Sequence, residues 1–340
     1  MRYVESLNQA LHQVMAADDR VFVLGEDILD PYGGAFKVTK GLSSIYPDRV
    51  LATPISEPSI TGFATGMAMR GLLPILEIMF GDFITLCTDQ IINSATKFSW
   101  MYNEQVKVPL VIRTPMGGRR GYGPTHSQTL ETLFLSVPGL TIIAPSHFHD
   151  PGNLLRKAVL SERGPVLFVE NKLLYPKRLS QPDQSGRIGD FFAEKLFGHN
   201  KDYPSISLSL VKGERADVTL VAYGGMAPLA AEAAFNVFMQ HEIVVKIIVP
   251  SLVKPFPLKD VLPSAQESGR VVIAEEAVRT AGWGAEMASQ ICESAFDNLS
   301  KPIERVGAME VPIPSSRPLE KTVLPQVSDI EKAIYRQVGV

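Results

Sequence analysis

The sequence predicts an α/β fold of two domains, each built on a parallel sheet, and three observations carry that prediction. Short β-branched runs alternate with segments of helical periodicity, the pattern of βαβ units whose sheets are covered on both faces. The alternation occurs twice, over residues 1–178 and again over 216–340. Between them, residues 179–215 lose apolar periodicity to Gln, Asp, Ser, Gly and Lys, with Pro182 and Pro204, and read as a linker. The length of 340 residues agrees, being too long for one core and short for three.

In the first domain the predicted strands are Val21–Gly25, Pro74–Ile78, Pro109–Arg113, Leu140–Ala144 and Val166–Glu170. Predicted helices cover Val4–Met15, Ser59–Met69, Thr85–Phe98 and Asn153–Leu160. In the second domain the strands are Val218–Ala222, Val244–Ile248 and Arg270–Ala274, with helices at Pro228–Phe238, Leu258–Ser268 and Gly284–Phe296. No internal repeat and no low-complexity tract interrupts either domain.

Composition narrows the function classes. Lys and Arg number 33 against 36 Asp and Glu, a net charge of -3 that argues against a nucleic-acid surface driven by bulk charge. Two cysteines, Cys87 and Cys292, make neither a disulfide framework nor a cysteine-rich metal site, so a reducing cytoplasm is the expected compartment. The uncharged stretch Thr132–His149 reaches membrane-spanning length, but Pro138, Gly139 and Pro145 break it into loop, strand and loop. No membrane and no nucleic acid is expected as partner.

Three stretches carry possible chemistry. Glu57 sits just before Pro58 at a helix start, followed by Gly62 and Gly66, which leave one helix face bare. An acid there either complements the helix dipole or acts on a ligand. Phe83 opens the next helix, where an aromatic ring either stacks on a flat ligand or belongs to the core. Asp89, Gln90 and Asn93 that follow are polar in an apolar segment, which suggests burial with partners, from a ligand or a subunit interface. Finally, Gly117, Gly118, Gly121 and Gly123 make a loop whose backbone can approach a ligand closely, with His126 at its end able to transfer a proton near neutral pH. The loop matches neither the Walker nor the dinucleotide spacing, and Arg119 and Arg120 are either anion holders or a solvated pair.

Taken together, Leu24–Ile28, Gly33–Leu42, Thr53–Glu57, Asp89–Lys97, Thr125–Gln128, Glu275–Glu286 and Val311–Glu320 resemble, in collinear order, one family. It is the beta subunit of the thiamine diphosphate-dependent dehydrogenase component of 2-oxo acid dehydrogenase complexes, in the transketolase superfamily. The resemblance implies a pyrimidine-binding domain followed by a transketolase C-terminal-like domain. It implies that Glu57 hydrogen-bonds N1′ of the cofactor's aminopyrimidine, that Phe83 packs on that ring and Ile55 contacts the cofactor, and that His126 acts beside the reacting carbon during acyl transfer to a lipoyl group. A carboxylate suits the first role, because a charge-assisted bond stabilises a nitrogen that gains a proton. The resemblance also implies potassium bound through backbone carbonyls at Leu110, Ala158, Val159 and Ser161, although the chain carries one extra residue before Pro165.

The superfamily holds magnesium and the diphosphate with a Gly-Asp-Gly sequence, which this chain lacks; Gly81-Asp82-Phe83 and Gly189-Asp190-Phe191 miss the second glycine. The resemblance therefore implies an alpha subunit that supplies the magnesium ligands in an α2β2 heterotetramer, and a lipoylated acyltransferase as a further partner. The alternatives are the C-terminal half of a split transketolase, for which Arg119 and Arg120 would hold sugar phosphates, and a scaffold that docks an acyltransferase core. Which 2-oxo acid is consumed stays open among pyruvate, branched-chain acids and acetoin-type substrates.

Overall fold

The computed structural model describes residues 1–198 and 200–340. Its contacts divide it into two compact units: Met1–Met116 with Leu133–Ile143 and Asp150–Leu179, and Gly117–Thr132 with Ala144–His149 and Ser180–Val340. Among the described residues no helix is long and apolar enough to cross a membrane.

The first unit contains α1 (Tyr3–Ala17), β1 (Val21–Gly25), α2 (Leu42–Ile45), β2 (Val50–Ala52), α3 (Glu57–Met69), β3 (Leu73–Glu77), α4 (Phe98–Met101), β4 (Val111–Met116), β5 (Thr141–Ile143), α5 (Pro151–Ser161) and β6 (Val166–Asn171). Within the unit the strands run in the order β5-β6-β4-β3-β1-β2 with every neighbouring pair parallel. Strands β3, β4 and β6 are buried at every position, as expected of a parallel sheet covered on both faces. Helix α1 buries Leu7, Leu11, Val14 and Met15, one stripe at helical spacing. It approaches α5 so closely that a Cβ on Gly152 would lie 2.2 Å from the Ser6 carbonyl oxygen, and the Ser6 hydroxyl donates to Asp150 Oδ1 at 2.7 Å.

The helix expected over Thr85–Phe98 is instead a 3-10 turn at Gly81–Cys87, a wider π-type turn at Gln90–Ala95 and the short α4. Hydroxyls there compete for the helical carbonyls: Thr85 donates to Asp82 O, Thr88 to Thr85 O and Thr96 to Ile92 O.

In the second unit the elements are β7 (Arg187–Ile188), β8 (Phe191–Leu196), β9 (Ser205–Ser209), β10 (Val218–Ala222), α6 (Ala227–His241), β11 (Val245–Val249), β12 (Leu252–Lys254), α7 (Leu258–Ser268), β13 (Val271–Val278), α8 (Trp283–Ala295), β14 (Glu304–Ala308), α9 (Arg317–Val323) and α10 (Val327–Val338). The sheet order is β14-β13-β10-β11-β9-β8-β7; the four strands β14, β13, β10 and β11 are parallel, and β9, β8 and β7 continue antiparallel. The core gathers Leu220 and Ala222 of β10, Ile247 of β11, Ala230 and Ala234 of α6 and Ile334 of α10.

Residues 179–215, which read as a linker, therefore carry three strands of this sheet. In β9, Ile206 and Leu208 alternate with Ser205 and Ser207, which are buried too, so the apolar alternation that marks a strand is diluted by small polar residues. Strands β2 and β14 and helix α10 also go beyond the sequence expectation.

Inside the first sheet lies a buried ionic cluster. Arg113 of β4, 1% exposed, grips Glu170 of β6 with two bonds of 2.8 and 2.7 Å and also donates to Glu77 of β3; Tyr175 donates to Glu170 at 2.7 Å. Burial pulls the guanidinium down, but the two carboxylates prevail and hold it firmly protonated. Arg113→Met leaves two buried carboxylates without a cation and should cost about 3–5 kcal/mol of stability. Denaturant unfolding checks this; a midpoint equal to wild type would refute it.

Candidate active site

The neighbourhood of Glu57 is assembled by the ends of two strands. The Thr53 N–H donates to the Gly25 carbonyl at 3.1 Å, which ties the chain leaving β2 to the end of β1. Glu26 is the first residue past β1, and Glu57 is the first of α3 with Pro58 second. Both acids are buried, at 7% and 6% exposed. Burial, then the charges of Glu57 and Asp27, raise the Glu26 carboxyl above its ordinary range. Glu26 Oε1 and Thr53 Oγ1 have no hydrogen-bond partner among the described residues. Acceptors gathered past the carboxyl ends of parallel strands suit a flat, donor-bearing or cationic ligand.

Cys87 connects this helix start to the turn that carries Phe83. Its thiol lies 3.6 Å from the Glu57 carbonyl oxygen and 3.9 Å from that of Phe83. Burial pushes the thiol up to about 12, so it stays protonated and serves as a donor. Phe83 is half-buried, edge-on to Phe80 at 6.1 Å between ring centroids. Ile55, two residues before Glu57, is 84% exposed.

The bare face of α3 is used at only one of its glycines. A Cβ on Gly62 would stand 2.9 Å from Gln90 Oε1, whereas nothing lies within 4 Å of one on Gly66. Asp89 and Asn93, expected to be buried, are exposed. They find partners along their own surface: Asn93 and Gln90 donate to Asp89, and Lys97 donates to Asn93 at 2.6 Å. A chain of neighbours at helical spacing satisfies these groups without burial.

Glu57, Ile55 and Phe83 share the first unit; His126 belongs to the second. The loop that bears His126 closes on itself through Gly117 N–H to Gln128 O at 3.2 Å. Residues 117, 119, 121 and 123 all have left-handed φ, between +70° and +91°. Such alternation turns successive N–H groups to one side and makes an anion cradle. The anion is the protein's own: Glu320 of α9 accepts Arg119 N–H at 2.7 Å and Gly121 N–H at 2.9 Å, and Glu276 of β13 accepts Gly118 N–H at 2.7 Å. The Arg119 guanidinium donates to Pro325 O at 2.6 Å, and Arg120 lies over the Tyr122 ring at 5.9 Å. His126 is half-buried, its Nδ1 2.9 Å from the Thr125 hydroxyl.

Of the potassium candidates, Ala158, Val159 and Ser161 lie in the last turn of α5, where carbonyls lack helical donors and offer the oxygen ligands a hard cation takes. The Leu110 carbonyl already accepts the Val166 N–H at 2.8 Å. Sequence reasoning passed over Glu26, Glu276 and Glu320 as site residues. Glu26 has a local signal, an acid directly after a strand; the other two have none near the loop they hold.

Comparison with known proteins defines the class first. Residues 1–178 match the transketolase pyrimidine-binding domain and residues 209–330 the transketolase C-terminal domain. Over 333 residues the chain is 37% identical to the pyruvate dehydrogenase E1 component subunit beta-2, mitochondrial, of Oryza sativa subsp. japonica, covering 98% of this chain and 85% of the relative. It is 36% identical to the pyruvate dehydrogenase E1 component subunit beta of Rickettsia felis, covering 98% and 96%. The chain belongs to the pyruvate dehydrogenase E1 beta-subunit family within the transketolase superfamily. Among solved structures, a split-gene transketolase described as an inactive beta4 tetramer shares the fold at TM-score 0.73 and 20% identity, covering 100% of this chain and 99% of that one.

The second unit also buries carboxyls that titrate near neutrality. Glu131 is fully buried and accepts the Tyr223 hydroxyl, while its Oε2 has no hydrogen-bond partner among the described residues; burial pushes it up to about 7 against the effect of that bond. A folded-state value above the unfolded 4.5 means that stability present at low pH is lost as pH rises toward 7. Glu131→Gln should remove this loss. Its advantage over wild type in denaturation midpoint should grow between about pH 4.5 and pH 7, to on the order of 2–3 kcal/mol, and then level off. An advantage independent of pH would contradict the assignment.

Proposed function

We propose that this chain is the beta subunit of a 2-oxo acid dehydrogenase component that decarboxylates a 2-oxo acid oxidatively with thiamine diphosphate and passes the acyl group to a lipoyl group of a partner acyltransferase. The observation that supports it best is the pair of buried acids, Glu26 and Glu57, at the carboxyl ends of β1 and β2 in a chain of this family, with acceptor atoms left for a donor-bearing ring.

When bound, thiamine diphosphate supplies the carbon nucleophile for the 2-oxo carbon and the sink for the electrons released with carbon dioxide. Glu57 would accept a hydrogen bond from the aminopyrimidine N1′ and hold the proton there, a role that a buried carboxylate performs because little water competes for it. Glu26, close enough to feel the charge of Glu57, adds negative potential that favours the protonated ring. Phe83 and Ile55 would contact the ring, and the Cys87 thiol keeps the Phe83 turn and the start of α3 in register. His126 would move the proton that acyl transfer to the lipoyl group requires. A potassium ion at the carbonyls of Leu110, Ala158, Val159 and Ser161 would brace the end of α5.

A pyrimidine half without Gly-Asp-Gly calls for an alpha subunit that supplies the diphosphate and magnesium ligands, in an α2β2 heterotetramer placed in the cytoplasm. The split-transketolase reading rested on Arg119 and Arg120 as phosphate holders, and Arg119 is engaged by Pro325 instead.

Co-expression with the alpha subunit and assay of 2-oxo acid-dependent reduction of an artificial electron acceptor tests the reading, across pyruvate, branched-chain acids and sugar phosphates. Reduction should require a 2-oxo acid, thiamine diphosphate and magnesium, and the 340-residue chain alone should be inactive. Glu57→Ala should lower turnover by about 10²–10⁴-fold while the thermal transition is kept. Ketol transfer between sugar phosphates as the sole activity, or a Glu57→Ala variant at the wild-type rate, would overturn it.

A further inference from the structure

The loop 117–128 contains its own anion, and the arrangement is costly to build. Arg119, a side-chain-bearing residue, is held in the left-handed region that favours glycine. Glu320 is 2% exposed, so its charge is desolvated, and both of its oxygens are engaged by the loop. Gly118 lets the loop approach closely at the same contact, since a Cβ there would lie 2.6 Å from Leu324 Cδ1 and 3.2 Å from Glu320 Oε1 and one of them would have to shift. A surface loop with no positional duty needs none of this. Between two and five residues past the second clasped N–H at Gly121, the chain turns through the His126 N–H to Gly123 O contact of 3.4 Å and presents the imidazole.

We infer that Glu320 is a positioning residue for His126: by binding the N–H groups of Arg119 and Gly121 it fixes the loop from whose end the imidazole works. Glu276, on Gly118 N–H, braces the same loop from β13. The inference rests on the proton-transfer role proposed for His126. Two charge-assisted bonds to backbone N–H groups leave the loop one conformation, and the imidazole inherits its place from that conformation. Because Glu320 touches the loop and not the ring, its removal should reach the chemistry only through His126.

The test uses the chain co-expressed with its alpha subunit and compares wild type, Glu320→Ala, Glu320→Gln, His126→Ala and the double Glu320→Ala/His126→Ala variant. Amide hydrogen exchange over residues 117–128 should quicken about tenfold or more at Arg119 and Gly121 in Glu320→Ala, and by less in Glu320→Gln, which keeps one acceptor. Acyl transfer to a lipoyl acceptor should lose about tenfold in kcat with the KM for the 2-oxo acid unchanged, and the glutamine should recover part of it. The double variant should be no slower than His126→Ala alone. Unchanged exchange in Glu320→Ala overturns the inference, and so do losses that multiply in the double variant, which would mark a merely structural acid. Should the wild-type assembly turn over no 2-oxo acid, the proposed function fails, and the exchange measurement still decides whether Glu320 holds the loop.

Discussion

Charge inside a covered parallel sheet is the constraint on which the first unit depends. Its strands are buried on both faces, yet β3, β4 and β6 carry Glu77, Arg113 and Glu170 at positions fully inside. A lone buried acid would be driven to its neutral form or out of the core. The single guanidinium of Arg113 reaches both carboxylates, and the Tyr175 hydroxyl completes Glu170. Arg113 offsets part of the negative charge in the middle of the sheet, while Glu26, Thr53 and Glu57 gather past the strand ends. The same unit thus holds one set of acids closed by a cation and another in which Glu26 Oε1 has no hydrogen-bond partner among the described residues.

The second unit handles negative charge differently. Its buried carboxylates face backbone N–H groups more than cations, and the glycine loop is where this matters. The four-glycine loop fits neither the Walker nor the dinucleotide spacing, yet its backbone does form a cradle; the acids of α9 and β13 fill it. Flexibility is the wrong inference from these glycines. They permit left-handed turns that the carboxylates then lock.

Much of this was legible in the sequence, and what was not has a common cause. Strands such as Val21–Gly25 and Val218–Ala222 and the helix Leu258–Ser268 were readable to the residue, because the strands are short runs rich in β-branched and apolar residues and the helix keeps Leu258, Val261, Leu262 and Ala265 at helical spacing up to Gly269. The helix start at Glu57 was legible because an acid, a proline and two spaced glycines mark it, whereas a role for the acid came only from the family resemblance. The β7–β9 strands were not, since serine and lysine blur their alternation. The broken helix after Phe83 was missed because threonine hydroxyls take carbonyls that periodicity assigns to the helix. The Glu320 contact joins residues 201 positions apart, and no local pattern in either segment announces the other.

The division of the chain in sequence is not its division in space. Residues 117–132 fall within the stretch matched by the pyrimidine-binding domain, yet they pack in the unit formed mainly by Ser180–Val340. A recombination event at the boundary between the two sequence domains would separate the loop from the acids of α9 and β13 that shape it. Homologous halves are therefore interchangeable only if the loop and its two glutamates have drifted together. The module that shapes the loop is interleaved along the chain, because residues 117–132 pack in the second unit and Arg119 is held by an acid 201 positions away.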